Sequence, residues 1–246
     1  MTRIRAYAVA AHAGPTLAVT VIMTVFAWSA GWRGLPLALL AATVLVGQLS
    51  IGWSNDAADA ASDLQADRTD KPTVSAGISA RSLWAAASVA LVLACVLSWA
   101  VAGPVGGSFH VLFVAMGWLY NVAVSRTVWS WVPYAVGFGA LPMFVYLGLG
   151  DGPAPAWTVA VFALLAVSAH LANALRDVEV DRDARLGGLV VRLGARWATI
   201  ACWVLLGVGT LVLVVVSVAR GRGPLLATVL VVAYVGAVVW GSAARR

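Results

Sequence analysis

Ten carboxylates occur in 246 residues, and nine of them fall in two short windows. The first holds Asp56, Asp59, Asp63, Asp67 and Asp70, and the second Asp177, Glu179, Asp181 and Asp183. One spacing repeats in both, Asn55-x-x-x-Asp59-x-x-x-Asp63 and Asn173-x-x-x-Asp177-x-x-x-Asp181, the second set lying 118 residues after the first. On a helix each set occupies an arc of about 80°, which Asp56 widens to about 100° in the first. Glu179 and Asp183 point away from that arc and are discounted as ligands. Like charges at i, i+4 repel, so two such faces aimed at each other are costly unless a cation fills them. Mg²⁺ fits: it takes oxygen ligands, keeps several waters and is commonly held by one or two carboxylates plus substrate phosphates. Two clusters would hold two or more Mg²⁺ ions around a diphosphate, with metal charge stabilising the departing pyrophosphate. The expected metal set is Asn55, Asp56, Asp59, Asp63, Asn173, Asp177 and Asp181, with Asp59, Asp63, Asp177 and Asp181 catalytic. The asparagines ligate through oxygen or orient a carboxylate.

Cationic residues flank both windows. Arg68 and Lys71, the chain's only lysine, follow the first cluster; Arg126 ends the fourth apolar stretch; Arg176 and Arg192 flank the second cluster. Arginine offers bidentate phosphate contacts and lysine a compact charge, so these five, with Tyr120, are the expected diphosphate contacts. For each cation the competing explanation is the Lys/Arg excess of cytoplasmic loops. His170 lies about 20° from Asp177 on a helical projection and could reach an acceptor, act as a base or support the site from behind; an interhelical hydrogen bond is the plainer reading. Asn121 is likewise an acceptor contact, a supporting residue or a packing residue. His12 and His110 lack metal-ligand spacing, and nothing indicates zinc.

The elements that position these groups are membrane-length helices. The chain is 62% hydrophobic and 11% charged, with mean hydropathy +0.92, against about 25% charged residues in a soluble domain. A water-soluble globule is excluded. Eight apolar stretches, near 8–30, 35–53, 82–102, 108–125, 128–150, 155–176, 197–219 and 224–241, each approach the roughly 20 residues that cross a bilayer core. Both acidic windows follow an even-numbered span and so emerge on one side. The Lys/Arg distribution makes that side, and both termini, cytoplasmic. Topology thus accounts for the net charge of +6 without nucleic acid. The first stretch is read as a retained helix of an integral plasma-membrane protein. Cys95 and Cys202 fall inside spans, which indicates neither a disulfide framework nor a thiolate metal site. Most of the 12 tryptophans, Trp32 and Trp53 among them, lie near span ends as an interfacial belt. The fold class is all-α, a polytopic membrane bundle forming a single domain over 1–246, with pseudo-repeats over roughly 1–125 and 126–246.

Asn55 to Asp63 resembles the NDxxDxxxD signature of the UbiA superfamily of intramembrane prenyltransferases, and Asp177 to Asp181 resembles its second DxxxD signature. Asp67-Arg68-Thr69-Asp70-Lys71-Pro72, Tyr120 to Arg126 and Val191-Arg192-Leu193-Gly194 are similar to further family features, so the resemblance spans nearly the whole chain. It implies a helical bundle around a central cavity open to lipid. There an isoprenoid diphosphate binds with its head group on Mg²⁺ and its tail along an apolar wall. The allylic C–O bond ionises, and a small aromatic or lipid-like acceptor captures the carbocation-like centre. The sequence departs from the family in three respects. Eight spans are read instead of nine, the expectation of a short member. Ala11-His12-Ala13-Gly14-Pro15 stands where a basic residue near a proline often contributes to acceptor recognition. Arg126 replaces a frequent lysine, preserving charge but not geometry. Terpene cyclisation, in which the ionised chain is attacked by its own double bond, is the alternative within the superfamily. A non-enzymatic cation or lipid carrier would need ionisable groups deep in the spans. A CDP-alcohol transferase is excluded because Ala60-Ala61-Ser62 follows Asp59.

Overall fold

The computed structural model describes residues 2–176, 178–183 and 187–219, without the side chains of Val180, Asp181, Asp183 and Ser217. These residues form helices and connections, with no strand among them. The helices are α1 (Arg3–Ala10), α2 (Ala13–Ala30), α3 (Gly34–Gln65), α4 (Pro72–Ser75), α5 (Ala80–Leu119), α6 (Val132–Leu149), α7 (Ala156–Ala174), α8 (Val178–Asp183) and α9 (Leu189–Ala219), with a π-helical turn at Tyr120–Val124 after α5. Among the described residues six helices are long and apolar enough to cross a membrane, α5 counting once with its π-turn. The expected span over 224–241 lies outside the described residues.

The first expected span is two helices. The chain breaks between α1 and α2, where His12 adopts left-handed φ 52, ψ 61. Packing enforces the elbow: a Cβ on Gly52 would stand 2.6 Å from the Ala11 carbonyl oxygen, so only glycine lets α3 approach this closely. The Thr16 hydroxyl donates to the same carbonyl at 2.6 Å. Pro15 falls in the first turn of α2, where its missing N–H costs no helical bond.

The third and fourth spans are the two arms of α5, broken at Gly103 (φ 68, ψ 176) just before Pro104. The arms fold back so closely that a Cβ on Gly107 would meet the Ser98 carbonyl. Helix α9 is likewise broken at Gly194, and its longer arm, 195–219, is the seventh span.

Two compact units emerge, Met1–Val124 with Ala140–Ala154, and Ser125–Gly139 with Pro155–Arg246. In the first, α3 packs on α5. Its Ser50 hydroxyl accepts from Trp118 Nε1 and donates to the Ala87 carbonyl, both at 2.9 Å, lacing α3 to both arms. Trp32 corrects the interfacial-belt reading: it is buried and donates to the Val145 carbonyl at 3.0 Å, a packing role. In the second unit α7 packs on α9, and the Ser168 hydroxyl donates to the Cys202 carbonyl at 2.9 Å.

The second acidic repeat does not ride on one helix. Helix α7 ends at Ala174, the Arg176 N–H closing a tight turn on the Asn173 carbonyl at 3.2 Å. A separate α8 begins at Val178, which is buried with Leu171, Val190, Ala198 and Cys202. Burying Val178 against the feet of α7 and α9 accounts for the turn. Asn173 and residue 181 therefore lie on different helices, and Asp177 between them lies outside the described residues.

Candidate metal and diphosphate site

The first acidic repeat sits on the final turns of α3, a single helix from Gly34 to Gln65, so Asn55, Asp56, Asp59 and Asp63 share one face as their spacing requires. Asp56 and Asp63 are buried, Asn55 and Asp59 half-buried. Asn121, in the π-turn, anchors this end. Its Nδ2 donates to the Ile51 carbonyl at 2.9 Å and the Ser54 hydroxyl at 2.8 Å, and its Oδ1 accepts from Asn55 Nδ2 at 3.2 Å. That last bond engages the nitrogen of Asn55, so Oδ1 is the atom of this side chain suited to a cation. Asn121 thus supports Asn55, while Tyr120 opens the same turn, half-buried.

The donor set fits a hard divalent ion. Asp56 Oδ2 and Asp63 Oδ2 are buried carboxylate oxygens without a hydrogen-bond partner, a costly condition that an oxygen-seeking cation relieves. No three His, Cys, Asp or Glu side chains among the described residues converge on a ready-made cage. Mg²⁺ takes oxygen ligands and is commonly held by one or two carboxylates, with waters and phosphate oxygens completing its shell.

The loop after α3 carries two cations in different settings. Arg68 pairs with Asp70 through Nε and a terminal nitrogen, both at 3.0 Å, with both side chains exposed. This hydrogen bonding holds Asp70 below the usual carboxylate range. Lys71 instead turns inward, its Nζ donating to Asp56 Oδ1 at 2.7 Å. His12 Nε2 donates to the same oxygen at 2.8 Å. Sequence reasoning gave His12 no role, because its partner lies 44 positions away. The available signal was Gly14-Pro15, which marks a helix start and so places His12 in an elbow.

In the second unit, His170 is buried, 3.0 Å from the Ser130 hydroxyl through Nε2 and stacked on Tyr134 with centroids 4.6 Å apart. The bond ties α7 to the turn that precedes α6, so it joins a helix to a turn instead of two helices. Arg126, Asn173, Arg176 and Arg192 are exposed, and a Cβ on Gly187 would collide with the Arg126 carbonyl. Asp177 and the side chain of Asp181 lie outside the described residues.

The fold has close counterparts among solved structures. A UbiA homologue from Archaeoglobus fulgidus bound to DMAPP and Mg²⁺ is similar with TM-score 0.75 at 16% identity, covering 96% of this chain and 87% of that one. The same organism's homologue bound to GPP and Mg²⁺ gives TM-score 0.73 at 15% identity, over 96% and 98% of the chains. An apo homologue from Aeropyrum pernix K1 gives TM-score 0.68 at 19% identity, over 100% and 91%. No curated protein sequence matches significantly. The UbiA prenyltransferase family matches over residues 16–246. A polytopic helical bundle with an Asn/Asp-rich face closing its second span, matched to that family over nearly its full length, is a membrane enzyme belonging to the UbiA prenyltransferase family.

Proposed function

We propose that this protein carries out Mg²⁺-dependent transfer of a prenyl group from an isoprenoid diphosphate to a small aromatic or lipid-like acceptor, releasing pyrophosphate. The observation that carries the reading is the oxygen-rich end of α3, where buried Asp56 Oδ2 and Asp63 Oδ2 lack donors. The Archaeoglobus homologues with DMAPP or GPP and Mg²⁺ support it by analogy of fold.

In this reading Asn55, Asp56, Asp59 and Asp63 hold one part of the metal–diphosphate head group, and Asn173, Asp177 and Asp181 the other. When bound, Mg²⁺ supplies positive charge where negative charge develops on the leaving diphosphate. Arg68, Lys71, Tyr120, Arg126, Arg176 and Arg192 are the proposed contacts to the phosphates, with arginine suited to bidentate pairing. Asn121 keeps Asn55 in register, and His170 supports the site from within its unit. Apolar helix faces exclude water from the allylic carbon, so the acceptor and not hydroxide captures it. The protein is proposed to sit in the cell membrane with its termini and both acidic segments cytoplasmic.

The test is pyrophosphate release from allylic diphosphates of increasing chain length by the purified protein, with and without aromatic acceptors, and products read by mass spectrometry. Asp59→Ala and Asp177→Ala should each abolish release, as should EDTA on the parent. Full activity in either variant would refute the metal reading. A hydrocarbon or terpene alcohol formed without acceptor would replace transfer by cyclisation.

A further inference from the structure

We propose that His12 is a positioning residue for the metal site: with Lys71 it clamps Asp56 Oδ1, leaving Oδ2 as the oxygen presented to the ion. This inference rests on the metal reading above.

A carboxylate has two oxygens, and here they are used unequally. Oδ1 accepts from Lys71 Nζ at 2.7 Å and His12 Nε2 at 2.8 Å, while Oδ2 is buried and accepts from nothing. Two donors on one oxygen fix the plane and direction of a side chain that is 1% exposed. His12 is not itself a ligand through Nε2, because that nitrogen faces Asp56.

The chain spends backbone strain to bring His12 there. Left-handed φ is unfavourable for a residue other than glycine, and His12 occupies it at the residue before α2. A polar side chain at that position ordinarily caps its own helix. His12 makes no capping bond and reaches across to α3. Three further contacts hold the elbow: Thr16 on the Ala11 carbonyl, the Ala11 backbone on Gly52, and Trp53 Nε1 donating to the Tyr7 carbonyl at 2.9 Å. Groups that hydrogen-bond a ligating carboxylate from outside typically matter about 10–100-fold in metal affinity.

Elbow shape and donor geometry make opposite demands, which gives the test. Asparagine and glycine tolerate left-handed φ better than glutamine does. Glutamine places its amide nitrogen where Nε2 stands, whereas asparagine falls short. Mn²⁺ binding by the full chain in detergent is read from the electron paramagnetic resonance of free Mn²⁺, with no other ligand added. His12→Gln should stay within about 3-fold of the parent, while His12→Asn and His12→Gly should weaken binding by about 10-fold or more. Parent-like binding by His12→Gly, or tighter binding by His12→Asn than by His12→Gln, overturns the proposal and leaves the metal reading standing. A parent that binds no Mn²⁺ overturns the proposal, whereas the metal reading itself falls if EDTA or Asp59→Ala leaves pyrophosphate release intact.

Discussion

Lys71 and Arg68 stand three positions apart in one loop, yet their environments assign them different energetics. Lys71 is 14% exposed against an Asp56 that is 1% exposed, and removing one partner of a buried pair strands the other charge at a cost of about 3–5 kcal/mol. Lys71→Ala should lower the apparent melting temperature in detergent by roughly 6 °C or more, His12 cushioning part of the loss. Asp70→Ala should change stability by less than about 1 kcal/mol, because its pair with Arg68 is 45% and 64% exposed. Equal losses in the two variants would contradict this assignment. Sequence placed both cations beside the acidic cluster but not their partners, since spacing reports helix faces and says nothing of what a loop folds back onto. The same limit hid His12. Asn55, Asp59 and Asp63 were legible because their relation is local to one helix.

Between helices, glycine is the measure of closeness. At Gly52 an added Cβ would stand 2.6 Å from the Ala11 oxygen and 2.8 Å from its carbon, both backbone atoms that cannot rotate away. Gly52→Ala is therefore expected to destabilise by about 1–3 kcal/mol. Gly14, inside α2, has nothing within 4 Å of its would-be Cβ. Gly14→Ala should be neutral or stabilising by up to about 1 kcal/mol. Thermal unfolding of the pair checks the contrast, and a loss at Gly14 matching that at Gly52 would refute it. The break at Gly103-Pro104 was readable because both residues disfavour a continuous helix. The elbow at His12 was signalled only by Gly14-Pro15, which marks a helix start but not the packing onto Gly52 that sets it; the end of α7 had no such signal, because burial of Val178 is a tertiary contact.

For the whole molecule, helix type and most span positions followed from apolar length alone, while sidedness still rests on charge distribution. Arg68, Lys71 and Arg81 lie between α3 and the body of α5, whereas Asp151 lies between α6 and α7. Positive-inside bias predicts that Ser75→Cys reacts with a membrane-impermeant maleimide only after cells are permeabilised, and that Asp151→Cys reacts in intact cells. The reverse pattern would invert the proposed orientation. Helix α3 has a consequence of another kind. Its 32 residues reach about 48 Å against a hydrocarbon core of about 30 Å, so the helix is longer than the core and its acidic final turns end an unbroken rod. Helices answer a change in bilayer thickness by tilting, and a rod, unlike a loop, passes that tilt undamped to its tip: the carboxylates stand at the end of a lever whose fulcrum is the lipid.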